Sequence, residues 1–367
     1  MKKSLLTLAI GSLLAGSAYA QTSVTLYGIV DQSIRFQTNA DAANHSQTQL
    51  TNGAITNSRW GIKGSEALGN NLKAIFQLEN GFDPDTGRSN QVSAASPGGR
   101  MFGRQAYVGL AGDFGAVKLG RQYTEGFNLF GDFDPLTIGN YDNNAWPFFL
   151  TQIRTDNVVS YSGAFAGLNV GASYGFGETA GSMTRNQYWG TRASYDIGPF
   201  GIGAVYQEFR NATSERQQMW GVAGKYTLGA AKLFLGYVGG RDATGTIDNG
   251  FLNRSAATTT AAAQASIASG AANTPRKDMI GYVGMTYQVS PALAVTGVFY
   301  GDHVKDKNGV ESSGNRYTGV LLAEYSLSKR TQVYGTVDYN KVTGAVQAEM
   351  PGKNNQTGVA AGIRHIF

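Results

Sequence analysis

The acids Asp132, Asp134 and Asp142 stand in one stretch, 124–153, among the aromatic residues Phe127, Phe130, Phe133, Tyr141, Trp146, Phe148 and Phe149. Carboxylates held in such surroundings can set the charge of a narrow passage, but they lack the companions that catalysis needs. Acyl transfer requires a nucleophile, a base and an orienting group. The imidazole bases are His45, in a loop, His303, at a loop edge, and His365, on the apolar parity of the last segment. The GxSxG text at 171–175 lies within an alternating run and not at the strand-to-helix turn that a nucleophile elbow needs. The absence of cysteine removes disulfides, iron–sulfur clusters and thiol catalysis together. The expectation is therefore no enzyme, no cofactor and no metal site.

The same stretch contains Pro135, Pro147, Gly139-Asn140 and Asn143-Asn144, which make it a long loop and not a strand. A loop of this length is functional or disordered. Its aromatic content speaks for packing against something, and the reading is a loop folded onto the inside of a barrel.

The elements around it supply the barrel. Residues 1–20 read as a secretory signal: Lys2-Lys3, the apolar run Leu5 to Ala15, and Ala18-Tyr19-Ala20 before cleavage at Gln21. The remainder, 21–367, reads as one domain without a membrane-spanning helix, since no later run approaches the ~18 apolar residues that one needs. What it shows instead is period-two alternation. In 23–36, Val24, Leu26, Val30, Ile34 and Phe36 share one face, and Thr25, Tyr27, Asp31, Ser33 and Arg35 share the other. Further runs follow at 58–68, 72–82, 100–111, 114–123 and 157–163. With those that continue to 356–367 they make about sixteen strands, the even number of a transmembrane antiparallel β-barrel.

The links alternate in length. Gly69-Asn70-Asn71, Gly112-Asp113, Gly198-Pro199 and Ser328-Lys329-Arg330 are tight, whereas 37–57, 83–99, 124–156 and 241–277 are long. Short periplasmic turns and long outer loops are the rule for outer-membrane barrels. The Ala/Thr/Ser-rich run within 251–275 reads as a flexible exposed loop, with helix as the alternative. Fifty glycines, 19 tyrosines and 18 phenylalanines against 15% charged residues suit a barrel with aromatic girdles. The formal charge of +5, or +3 without Lys2 and Lys3, comes with no Lys/Arg run, so nucleic-acid binding is not expected.

The stretches SVTLYGIVD (23–31), SRWGIKGSEALG (58–69), FGRQAYVGL (102–110), FGAVKLGRQY (114–123) and the terminal GIRHIF (362–367) together resemble the trimeric, sixteen-stranded general diffusion porins of Gram-negative bacteria, and their betaproteobacterial branch in particular. The resemblance implies a homotrimer in the outer membrane. Its partners would be lipids and lipopolysaccharide, the barrel assembly machinery that reads a terminal Phe, and permeating ions and small hydrophilic solutes. It also implies a pore narrowed by the third outer loop, with loop acids facing a basic wall. Carried over motif by motif, the wall residues are Arg59, Arg104 and Arg154; Lys63 shares the parity of Arg59 and extends the stripe. Where related porins carry a further basic residue after LYG, this chain has Ile29.

For the loop, the expectation is Asp132 and Asp134 facing the pore, with Asp142 and Glu125 as alternatives for either. Asp134 before Pro135 suits a turn initiator equally. Arg121 shares the parity of Val117 and Leu119 and suits a subunit interface. Three or four basic residues against two acids imply mild anion preference. The rival readings are a channel specific for a sugar or an organic anion, with the aromatics of 127–149 as a slide, and an adhesin or structural barrel.

Overall fold

The structure is a computed structural model and describes residues 23–91, 98–138, 141, 144–255 and 261–367. The expected signal sequence, and Asp142, lie outside the described residues.

Seventeen strands form one antiparallel sheet that closes on itself. In chain order the first seven are β1 (Ser23–Gln37), β2 (Gln47–Asn52), β3 (Arg59–Gly69), β4 (Leu72–Gly81), β5 (Gln105–Gly112), β6 (Gly115–Tyr123) and β7 (Arg154–Phe165). Then come β8 (Leu168–Gly175), β9 (Tyr188–Ile197), β10 (Phe200–Arg210), β11 (Arg216–Leu228) and β12 (Ala231–Asp242). The last five are β13 (Arg276–Gln288), β14 (Leu293–Lys305), β15 (Ser313–Ser326), β16 (Thr331–Gly344) and β17 (Asn355–Ile366). β1 pairs with β17 on one side. On the other its first half pairs with β3 and its second half with β2, so β2 and β3 share one position and the barrel has sixteen. β2 falls within 37–57, where the sequence reads as a long loop. Its alternating QTQLTN is too short to stand out, and it forms because β1 outruns β3 and offers an open edge.

Alternation is realised as a two-sided wall. On β1, Val24 and Leu26 are 64% and 63% exposed on the outer face, whereas Asp31 and Arg35 are 0% and 1% exposed within. Tight turns close one end; at Asn70-Asn71 both residues have positive φ (49° and 59°), the left-handed pair that a two-residue hairpin needs. Two aromatic rows border the outer apolar band. Tyr195, Phe200, Tyr226 and Tyr287 lie near the turn end, and Trp189, Tyr206, Trp220 and Tyr237 lie further along the same or neighbouring strands. Such girdles belong at the two membrane–water boundaries. Among the described residues no helix is long and apolar enough to cross a membrane.

The loop 124–153 folds into the barrel and carries a helix, Glu125–Phe133, and a 3-10 turn, Trp146–Thr151. Thr124 caps the helix by accepting from the Phe127 N–H at 3.2 Å. The helix buries Leu129, Phe130 and Phe133 against an apolar patch on the inner wall, where Val205, Met219, Phe234, Val238 and Ile280 take the place of polar residues. The inside of β10–β15 is therefore a packed core where the loop lies on it.

The run 251–275, expected as a flexible exposed loop, is largely helical: Thr246–Ser255 and Ala261–Asn273 are helices, and Ile247, Phe251 and Ala271 are buried. Alanine has the highest helix propensity, and these apolar side chains have neighbours to pack against. Arg276 holds this loop to the next ones, pairing with Asp248 at 2.8 Å and Glu349 at 2.6 Å.

Candidate pore constriction

The open wall is organised around Tyr123, at the end of β6 where the chain enters the inward loop. Arg104 donates to the Tyr123 hydroxyl at 2.7 Å, and Arg154 does so at 3.4 Å. The Arg154 guanidinium also lies 4.7 Å from the centre of the Tyr123 ring, which stacks on Phe127 at 4.5 Å. A guanidinium over an aromatic face is attracted by the ring quadrupole while its remaining N–H groups stay free for other partners. Arg59, on β3, donates to the Asn57 carbonyl at 3.0 Å and lies within electrostatic reach of Arg104, Tyr123 and Glu79. The structure thus brings Arg59, Arg104 and Arg154 together from three distant segments.

One carboxylate stands among them. Glu79 of β4 accepts from Arg104 Nε at 2.8 Å and from the Tyr27 hydroxyl at 2.8 Å. Gln77 and Tyr107 continue the chain of hydrogen bonds, at 2.6 Å from Gln77 to Tyr27 and 2.9 Å from Tyr107 to Gln77. Lys63 is exposed further down the same wall, 5.2 Å from the centre of the Tyr27 ring. Lys118 repeats the arrangement over Tyr107, also at 5.2 Å.

Local backbone strain aims Arg154. Gln152 and Ile153 both have positive φ, 53° and 52°, and for a β-branched residue this is an outlier. Strain of this kind costs about 1–3 kcal/mol per residue and persists where the surroundings over-determine it. Here Gln152 is bonded to Gln217, and the Ile153 N–H donates to Thr151 Oγ1 at 3.2 Å.

Of the two loop acids expected to face the pore, one is buried. Asp134, expected to face the pore, is 1% exposed and accepts from the Tyr300 hydroxyl at 2.5 Å and the Ile138 N–H at 2.9 Å. It ends the loop helix and starts the following turn, so its carboxylate is spent on anchoring. Burial pushes its pKa up to about 6. Glu125, the alternative, is also buried: it pairs with Arg192 at 2.8 Å and accepts from Ser173, and burial raises its pKa. Asp132 is exposed on the helix, and the basic residue within its electrostatic reach is Lys232 of β12, on the far wall. The acid facing the arginines is Glu79. The sequence carried its signal, since Glu79 shares the polar parity of Lys73 and Gln77 on β4.

Arg121 lies on the outer face, paired with Asp156 at 2.6 Å. Arg35, read as lumenal from its parity, lies on the inner wall but is neutralised by Asp338 at 2.6 and 2.9 Å and covered by the Tyr141 ring at 3.9 Å. Above the arginines a polar cavity of about 610 Å³ is lined by Arg35, Arg154, Tyr141, Gln49, Asn57 and Asp83.

The loop is pinned along its length. Trp146 Nε1 donates to Thr318 at 2.7 Å, Tyr282 to the Phe133 carbonyl at 2.9 Å, and Gln207 accepts from the Gly126 N–H at 2.8 Å. The three histidines stand apart, bonded to Asp41, Asn315 and Thr331 respectively. No cluster of metal-ligating side chains occurs among the described residues.

A Gram-negative porin family model matches residues 6–345. An outer membrane porin protein of Bordetella pertussis is 39% identical over 192 residues, which span 48% of this chain and 48% of that relative. Outer membrane porin protein 32 of Delftia acidovorans is 29% identical, with 100% of both chains covered. Among solved structures, an anion-selective porin from Comamonas acidovorans superposes with a TM-score of 0.73 at 25% identity, covering 95% of this chain and 100% of its own. With its closed barrel, sorted loops and inward loop, the chain belongs to the Gram-negative porin family and is an outer-membrane porin.

Proposed function

We propose that the barrel is a water-filled channel for passive diffusion of ions and small hydrophilic solutes, and that Arg59, Arg104 and Arg154 give it anion preference at its narrowest section. The observation that carries the reading is the imbalance around Tyr123, where three guanidinium groups face a single carboxylate, Glu79. A permeating ion sheds part of its hydration there, and fixed charges on low-dielectric walls decide which sign is compensated. The anion selectivity named for the Comamonas acidovorans structure supports the same sign. Lys63 and Lys118 extend the positive stripe, and Asp132 is the loop acid that faces water.

The rival reading, a sugar channel with an aromatic slide, is less well supported. Phe130, Phe133, Tyr141, Trp146 and Phe148 are buried and hold the loop to the wall. No catalytic step is assigned to the chain.

The same reading makes the protein a homotrimer, inserted by the barrel assembly machinery through its C-terminal strand and surrounded by outer-membrane lipids and lipopolysaccharide. Planar-bilayer recordings test it. They should show conductance steps grouped in threes, a reversal potential on the anion side and no block by sugars. Cation selectivity or saturable sugar block would overturn it.

A further inference from the structure

We infer that Phe251, a buried residue of the helix Thr246–Ser255, is a positioning residue for Arg154 and thereby tunes the anion preference of the channel. The two are linked through the loop 124–153. The Phe251 ring lies 4.9 Å from that of Phe149, in the 3-10 turn Trp146–Thr151. The Phe149 carbonyl accepts from the Gln152 N–H at 3.0 Å, and the Gln152 carbonyl accepts from the Arg154 N–H at 2.5 Å. Between these bonds Gln152 and Ile153 hold their positive φ.

A backbone conformation of this kind persists where the surroundings over-determine it. Hydrogen bonds of Gln152 and Ile153 fix one side of the segment. On the other side Phe149, Gln152 and Ile153 border a cleft of about 320 Å³, whose opposite wall is Thr246, Ile247 and Gly250 of the helix. The segment has room to relax, and the Phe149–Phe251 contact bridges that space.

The helix is itself held. Asp242 accepts from the Ile247 N–H, and Asp248 accepts from Arg276 and from the Asn308 N–H, each at 2.8 Å. The Arg276 and Arg316 guanidinium groups lie 5.1 and 4.3 Å from the centre of the Phe251 ring, and both pair with Glu349. Strands β13 and β15 thus fix the ring, the ring steadies Phe149, and Phe149 holds the turn that lays Arg154 over Tyr123.

The inference rests on the reading that Arg154 favours anions, and the variants separate the two. Reversal potentials in an asymmetric KCl gradient and thermal unfolding in detergent are measured for the full-length native protein, F251A, F251L, R154S, F251A/R154S and V304A. Phe251 carries no charge, so F251A can move the potential only by moving other groups. It should shift the potential toward cations, as R154S does, and add no further shift in the R154S background. F251L refills the space against Phe149 and should restore most of the native potential. Val304 is fully buried in a separate apolar cluster with Val342 and Val346. V304A should therefore unfold at a lower temperature than the native protein and keep the native potential.

A native potential in F251A, an F251A shift that survives in the R154S background, or an equal shift in V304A would overturn the inference alone. An R154S channel with the native potential would overturn the channel reading and this inference with it.

Discussion

Replacing Arg104 by Gln tests the charge arrangement at the proposed constriction more sharply than removing any exposed charge, because Arg104 and Glu79 neutralise one another. Their side chains are 3% and 4% exposed and meet at 2.8 Å. Breaking a buried pair by removing one partner costs about 3–5 kcal/mol, since the other charge is left uncompensated. The Tyr27 hydroxyl still donates to Glu79, which offsets part of that cost and puts the expected loss near the lower figure. The charge consequences have definite signs. Three guanidinium groups and one carboxylate leave two net positive charges around Tyr123. Arg104→Gln leaves one, Glu79→Gln leaves three, and the double substitution restores two.

Reversal potentials in an asymmetric KCl gradient should therefore move toward cations for Arg104→Gln, toward anions for Glu79→Gln, and return close to the native value for the pair. Thermal unfolding in detergent should show the double variant more stable than Arg104→Gln alone. Additive shifts would be consistent with the account; shifts of the same sign for the two single variants would refute it. A double variant less stable than both singles would also refute it.

Phe130→Ala removes a fully buried anchor of the inward loop at a cost of about 3–5 kcal/mol and should give larger, noisier conductance steps as the loop detaches; quiet native-sized steps would contradict the packing. Asp134 predicts a pH dependence. Its folded pKa, about 6, lies above its unfolded value near 3.8, so between the two the folded state holds more protons and stability falls as pH rises. The fall amounts to ~3 kcal/mol and is complete above the folded pKa. Asp134→Asn should keep the Tyr300 contact and flatten the pH profile of thermal unfolding. Asp132→Asn, at an exposed site, should shift the reversal potential only slightly toward anions and leave stability unchanged.

The barrel was legible because its physics is periodic. On β1 successive residues alternate between lipid and lumen, and the turn at Asn70-Asn71 carries its own signature. The pattern fails on β10–β15, where Val205, Met219, Phe234 and Ile280 are apolar on the inner face. An inner wall covered by a loop obeys the rules of a packed core, and no local signal separates it from the lipid face. The three arginines came from resemblance to a family, since alternation did not orient Arg104, which stands just before the start of β5. Asp134 departs from the expectation for a physical reason. A carboxylate before proline can face water or cap a turn, and only the position of Tyr300, on a strand far along the chain, decides for Asp134. Tyr123 carried no sequence signal beyond its place at the end of a strand, yet it is the hub on which two guanidinium groups rest.

The central claim is that Arg59, Arg104 and Arg154 set the sign of selectivity, and the reversal potential of native protein and of Arg59→Ser/Arg154→Ser in dilute salt tests it most directly. The native channel should favour anions and the variant should move toward cations. That shift should shrink as salt rises, because the Debye length falls from ~10 Å at 0.1 M to ~3 Å at 1 M. A native channel that favours cations, or a variant with the native potential in dilute salt, would contradict the account.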